Sequence, residues 1–265
     1  MARVEAAATP DVVIAALRQD GGTLLASLGG SAYTRVVGDA ELIVSHVPLP
    51  TLNGVLTLKV TASADDVASL LDVVAGENLA HSLMLRPGCA EALTELARRR
   101  GMVADEELPL MVLGRATESL ERALGHGRLS IRVLRPDEVG VHQKIAAAGF
   151  EAPLEIFESL VNRRLLEMPG QRAYVGEVDG VAVTTALAST LGDHVGIFDV
   201  ATPPPHRGQG YGAAITARAA LDGFESGASF AYLQSSPMGY GVYERLGFRT
   251  IERWEVWISG SPSHS

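Results

Sequence analysis

The residues with the clearest chemical signature lie in one stretch, Val200–Ala214, VATPPPHRGQGYGAA. The apolar, β-branched residues that end near Thr202 predict a strand, and the alanine-rich residues that follow predict a helix over about 210–224. Between them lies Arg207-Gly208-Gln209-Gly210-Tyr211-Gly212. Glycines let the backbone turn sharply and let a ligand approach where a Cβ would block it. The first N–H groups of a helix have no acceptor within it, and the helix dipole adds partial positive charge there. The stretch therefore reads as an anion site built from backbone, suited to a pyrophosphate. Two phosphate loops are excluded by spacing: Gly208-x-Gly210-x-Gly212 does not fit G-x-G-x-x-G, and no Gly-Lys-Ser/Thr follows. A glycine-rich loop without a ligand remains the alternative.

These residues must be positioned by elements on either side. Val195–Ala201 is the strand that leads into the loop. Its alternation places His194, Gly196, Phe198, Val200 and Thr202 on one face and Asp199 on the other. Further on, Phe230–Gln234 reads as a strand, Val242–Leu246 as a short helix and Arg253–Ile258 as a last strand. Before the loop, Leu129–Leu134 is a strand, and Asp137–Ala148 and Pro153–Met168 are helices. Ala173–Val178 and Val181–Ser189 are strands around the Asp179-Gly180 turn. The first half reads as a helix over 10–28 that Gly21-Gly22 can split, with Asp11 as its cap. Strands 33–37, 41–47 and 55–60 follow, then helix 64–75, strand 81–85, helix 91–100 and strand 108–113. The halves rhyme: LTELARRRGMV from Leu93 resembles GYGVYERLGFR from Gly239, each a helix ended by glycine and followed by a strand.

Arg207-x-x-Gly210-x-Gly212 resembles the Arg/Gln-x-x-Gly-x-Gly/Ala signature of the GNAT superfamily, the acetyl-CoA-dependent N-acetyltransferases. Val242–Phe248, VYERLGF, is similar to the L-Y-x-K-x-G-F ending of the same superfamily. The resemblance covers 129–258, and the whole chain looks like a tandem GNAT protein with a degenerate first lobe. It implies that Val200, Ala201 and Thr202 pair with the pantetheine arm of acetyl-CoA. It implies further that the N–H groups of Gly208, Gln209, Gly210, Tyr211 and Gly212 hold the pyrophosphate, with Arg207 among the cofactor-binding residues, and that Ser236, where many members have Asn, caps a helix or bonds the cofactor. By the same resemblance Tyr243 is expected to be the general acid that protonates the departing thiolate. Some relatives carry a catalytic Glu at the position of Gly196, which glycine cannot replace. His194 reads best as a loop histidine beside Asp193, and Asp199 as a structural or substrate-orienting carboxylate. Aligning Gly101 with Gly247 puts Ala97 opposite Tyr243, and Thr61-Ala-Ser-Ala-Asp-Asp in the first half offers two carboxylates where an anion site needs none.

Composition bounds the rest. A formal net charge of −9 argues against a nucleic-acid partner or an anionic membrane surface. The single cysteine, Cys89, excludes an internal disulfide and a multi-cysteine zinc site, and the seven histidines show no metal spacing. No apolar run spans a membrane, and Met1–Glu5 lacks signal-peptide features, so a soluble cytoplasmic protein is expected. Trp254 and Trp257 lie on opposite sides of the last strand, as core, dimer or acceptor-site residues.

The expected architecture is α+β, two lobes that each have a mixed, mostly antiparallel sheet flanked by helices. The boundaries are 1–114 for the degenerate lobe, 115–128 for a linker, 129–258 for the acetyl-CoA-binding lobe and 259–265 for a disordered tail. The expected activity is metal-free transfer of an acetyl group from acetyl-CoA to a primary amine of a small molecule or peptide, by direct attack. A non-catalytic acyl-CoA-binding regulatory or structural protein is the alternative, and a homodimer is left open.

Overall fold

A computed structural model describes residues 8–115, 118–125 and 128–260. The first half runs α1 (Pro10–Leu28), β1 (Tyr33–Val37), β2 (Ala40–Val44), β3 (Asn53–Thr57), α2 (Ala64–Gly76), β4 (Ser82–Leu85), α3 (Glu91–Arg99), β5 (Val103–Ala104) and β6 (Leu108–Gly114). The second half runs α4 (Glu118–Leu124), β7 (Ser130–Val133), α5 (Val139–Phe150), α6 (Leu154–Leu160), α7 (Arg163–Glu167), β8 (Gln171–Val178), β9 (Val181–Leu191) and β10 (His194–Ala201). It ends with α8 (Tyr211–Glu225), β11 (Phe230–Gln234), α9 (Pro237–Leu246) and β12 (Arg249–Ile258). The class is α+β with two lobes, as the residue patterns imply.

The compact units interleave along the chain, whereas contiguous lobes were expected. The earlier lobe takes Leu28–Leu110 and the chain from Glu252; the later lobe takes the chain through Ser27 and Met111–Ile251. Two segments thus change sides, each for a packing reason. Helix α1 buries Val13, Ile14, Ala16 and Asp20, and Asp20 is bonded to residues of the later lobe. The end of β12 completes the earlier lobe's sheet, antiparallel to β4 from Glu255↔Leu85 to Ile258↔Ser82. The expected linker contains α4, whose Leu120 is fully buried in the later lobe's core; residues 116–117 and 126–127 lie outside the described residues. Ser259, placed in the tail, is tied by its N–H to the His81 carbonyl at 2.9 Å, while 261–265 lie outside the described residues.

In the earlier lobe the strands lie in the order β1-β2-β3-β4-β12. All neighbours are antiparallel except β3 and β4, which are parallel and joined through α2. Leu42, Val55, Val67, Leu71, Leu83, Leu93 and Trp257 form its core. Arg86 and Glu252 meet at 2.6 Å with both side chains under a tenth exposed, and Trp254 Nε1 donates to the same carboxylate at 2.7 Å. Both tryptophans are thus core residues; the Arg98 guanidinium lies over the Trp257 ring.

In the later lobe the order is β11-β10-β9-β8-β7. The pairs β7–β8, β8–β9 and β9–β10 are antiparallel, while β10–β11 is parallel through α8. Local chemistry explains the departures from expectation. Gly21-Gly22 does not split α1, which runs unbroken with Asp11 in its first turn. The helix expected over 153–168 is divided, because Asn162 Oδ1 accepts from Leu165 N at 2.9 Å and starts α7 anew. Helix α9 begins earlier than expected, with Ser236 at the cap and Pro237 in its first turn.

Candidate active site

The loop before α8 has the backbone the glycines imply. Gly208 and Gly210 have φ of 77° and 79°, the left-handed region that other residues reach only with strain. The first bond of the helix is Ala214 N to Gly210 O, 3.0 Å, so the N–H groups of Tyr211, Gly212 and Ala213 precede the helical ladder. The first turn holds no acidic residue. Arg207 does not extend toward this opening. Its guanidinium bonds the carbonyls of Thr202 (3.1 Å) and Gly149 (2.7 Å) and the Glu151 carboxylate (2.9 Å). The side chain fastens the loop to β10 and α5.

Beside the loop, β10 and β11 part. Their ladder is short, His194↔Phe230, Val195↔Ala231 and Gly196↔Tyr232, yet β10 continues to Ala201 and β11 to Gln234. Beyond Gly196 the edge of β10 is open on that side. The expected single face of β10 is not kept. Its register against β9 shifts between Phe198 and Ala201, and Asp199 sits at φ 49°: a bulge inserts one residue and reverses the alternation. Val200 packs against the core beneath α8, and the Thr202 hydroxyl meets that of Thr184 at 2.9 Å. Ala201 instead faces α5, in van der Waals contact allowed by Gly149, where a Cβ would come within 2.7 Å. Asp199 likewise reaches α5, not the face assigned to it.

Tyr243 lies on α9, half-turned into the core. It is 9% exposed and packs edge-on against Phe248. Burial pushes its phenol up to about 12, so the hydroxyl keeps its proton at neutral pH. Gly239 makes room for the ring: a Cβ there would stand 2.9 Å from it. Ser236 takes the capping role, its Oγ accepting from Gly239 N at 3.3 Å.

Four functional-looking side chains, Asp20, Ser189, Tyr232 and His142, escaped the sequence reading, and His194 was misplaced by it. His194 is no loop residue; it is 2% exposed and lies 3.3 Å from Asp20 of α1. The same carboxylate accepts from Ser189 Oγ at 2.6 Å and from the Tyr232 hydroxyl, whose pKa burial raises well above the usual value. A Cβ on Gly196 would stand 2.5 Å from Asp20 Oδ2, so glycine at the foot of the parted strands is what admits this carboxylate. The available signal was Asp20 itself, a charge spaced with Val13 and Ala16 on the apolar face of α1. The fourth, His142 of α5, lies 3.7 Å from Asp199; nothing in its spacing pointed to that partner. Among the described residues no group of His, Cys, Asp or Glu is placed to hold a metal, and no helix is long and apolar enough to cross a membrane.

Comparison with known proteins fits this geometry. The profile of the acetyltransferase (GNAT) family matches residues 143–248, which hold the parted strands, the glycine loop and Tyr243. No curated protein sequence matches the chain. Among solved structures, a GCN5-related N-acetyltransferase from Kribbella flavida is similar over 91% of this chain and 94% of its own, with 21% identity and a TM-score of 0.64. One from Sphaerobacter thermophilus covers 85% of this chain and 82% of its own, with 12% identity and a TM-score of 0.58. A tandem GNAT protein from the clavulanic acid biosynthesis pathway covers 87% and 81%, with 17% identity and a TM-score of 0.53. At such identities these structures establish a shared two-lobed fold. Residues 143–248 match the acetyltransferase (GNAT) family, and the chain shares the fold of these N-acetyltransferase structures.

Proposed function

We propose that the later lobe binds acetyl-CoA and transfers its acetyl group to a primary amine by direct attack. One observation carries this reading: a glycine loop leads into a helix whose first N–H groups precede its hydrogen-bond ladder and whose first turn holds no acidic residue, beside two parallel strands that part. The pyrophosphate sits on the N–H groups between Gly208 and Gly212, where the dipole of α8 favours an anion. The pantetheine arm extends along the open edge of β10 at Val200, Ala201 and Thr202, and a backbone N–H near Thr202 meets the oxyanion of the tetrahedral intermediate. Tyr243 donates its O–H to the leaving sulfur. A phenol held near 12 does not fully surrender its proton to a thiolate whose acid sits near ~8.5. It stabilises the developing charge as a donor, and a proton released by the amine neutralises the sulfur.

The earlier lobe binds no acetyl-CoA. Calorimetric titration of acetyl-CoA into the intact protein and into Gly210→Glu tests the assignment. One equivalent bound by the intact chain and none by the variant is the expected result. Two equivalents would restore cofactor binding to the earlier lobe. No binding to the intact chain would end the acetyl-CoA reading, and binding without transfer to any amine would favour an acyl-CoA-binding regulator.

A further inference from the structure

Two buried polar atoms of the later lobe face each other with no donor between them. His142 is fully buried, with Nε2 3.7 Å from Asp199 Oδ2, and neither atom has a hydrogen-bond partner among the described residues. The ring's proton can be placed from its other side. Thr185 Oγ1 donates to the Tyr174 carbonyl at 2.8 Å. At its 2.7 Å contact with His142 Nδ1 it therefore accepts, and Nδ1 carries the ring hydrogen. A neutral His142 thus turns a bare Nε2 lone pair on a carboxylate oxygen. Buried acceptors are seldom left so, and Asp199 is held there in a strained backbone conformation, φ 49°. The arrangement lacks one proton.

We propose that Asp199 and His142 are the docking point and proton acceptor for the acceptor amine, an inference that rests on the acetyl-transfer reading above. Asp199 lies in the stretch of β10 beyond its ladder with β11 and immediately before Val200. Its side chain keeps 16% exposure, so one oxygen can meet an incoming ammonium ion while the other faces the imidazole. An N–H bond of the ammonium breaks, and its electron pair stays on nitrogen for attack on the thioester. The proton passes to the Asp199 carboxylate and, as the carboxyl group turns about Cβ–Cγ, to His142 Nε2. The result is an imidazolium beside a carboxylate with Nδ1–H still on Thr185, and no acceptor is left facing another. Asp199 touches the substrate; His142 is a positioning residue that holds the proton. The substrate class is a primary amine that arrives as a cation.

Neighbouring ionisable groups leave the pair to itself. Strand β9 contributes none. On β10, His194 is engaged by Asp20. On β8, Arg172 is exposed and Glu177 pairs with Arg132. Before α5, Asp137 and Glu138 pair with Arg135, and on α6 Glu155 and Glu158 are exposed.

Nitrogen-resolved NMR titration of the imidazoles in the full chain tests the proposal, with His142→Gln assigning the signal. Nδ1 should stay protonated at every pH, and the second ring proton should arrive on Nε2. Asp199→Asn, which brings an amide donor to the bare Nε2, should shift the resonance of that nitrogen. Methylammonium chloride, against sodium chloride of equal ionic strength, should shift the Nε2 resonance in the intact protein and not in Asp199→Asn. A ring protonated on Nε2 at high pH, or an Nε2 resonance moved by neither change, overturns the proposal. With any amine that is acetylated, Asp199→Asn should raise KM for that amine at least about tenfold. His142→Gln, whose amide still donates to Asp199, should lower kcat and flatten the acidic limb of the pH profile with KM little changed. Unaltered kinetics in both variants would also overturn it. Failure of the intact chain to bind acetyl-CoA would instead strike the acetyl-transfer reading and leave the titration result standing.

Discussion

The two lobes use one β–α–β–α–β order and differ at two points, a residue in the turn before the last helix's glycine cap and the start of the helix between the parallel strands. Strands β3 and β4 are parallel through α2 just as β10 and β11 are parallel through α8. Both lobes end their last helix alike. Met102 N bonds Ala97 O and Phe248 N bonds Tyr243 O, each at 3.0 Å, across Gly101 and Gly247 with φ of 70° and 97°. The two caps thus match as the residue spacing implies, with Ala97 at the position that Tyr243 holds in the other cap. At the helix starts they diverge. Ser63 caps α2 through its Oγ on Asp66 N, with Asp65 and Asp66 in the first turn; α8 starts at Gly210 with no side-chain cap and no acid. A helix that satisfies its own N–H groups and carries carboxylates there is stable and repels anions. A helix that leaves them open gives up some stability and offers a site.

This contrast can be broken at several points. The largest effect is expected from Gly210→Glu, which abolishes acetyl-CoA binding while far-ultraviolet circular dichroism stays unchanged; retained binding would place the cofactor elsewhere. In the earlier lobe, Glu252→Ala strands a buried guanidinium and should cost about 3–5 kcal/mol in chemical denaturation, without abolishing acetyl-CoA binding to protein that remains folded. A cost under about 1 kcal/mol would show that water reaches Arg86. Tyr243→Phe removes only the hydroxyl and should lower kcat about 100-fold, about 2.7 kcal/mol, with acetyl-CoA affinity intact; an unchanged kcat would return Tyr243 to a packing role. Ser63→Ala should cost about 1 kcal/mol in thermal or denaturant unfolding with no change in transfer rate.

Alkaline pH adds a test of the later lobe's burial. Burial raises the phenol of Tyr243 to about 12 and shifts Tyr174 and Tyr232 upward too. The unfolded chain releases these protons near ~10, so the folded state binds more protons. The stabilisation is therefore complete below about 10 and is lost as pH rises through the folded values. Phenolate absorbance should show these three groups silent until unfolding. Titration of any of them near 10 in folded protein would contradict their burial.

Several features needed only residue order. The glycine loop, the strand before it and the helix after it follow from local backbone preferences and hydrophobic periodicity, so Arg207 to Gly210 fall between a strand and a helix as expected. The Gly101–Gly247 alignment is also local, because a helix ended by a left-handed glycine uses only nearby bonds. The bulge at Asp199 was invisible, because alternation assumes one residue per partner and only β9 decides otherwise.

Asp20 and His142 could not be assigned either, since each acquires its meaning from partners far away in sequence: Asp20 from Ser189 and Tyr232, His142 from Thr185 and Asp199. The interleaving of the lobes has the same origin. The sequence by itself determined most of the elements and the glycine loop between two of them, since these rest on interactions a few residues apart. Tertiary structure alone decided which carboxylate meets which histidine and which of them is left without a donor, since desolvation acts on whatever folding brings together.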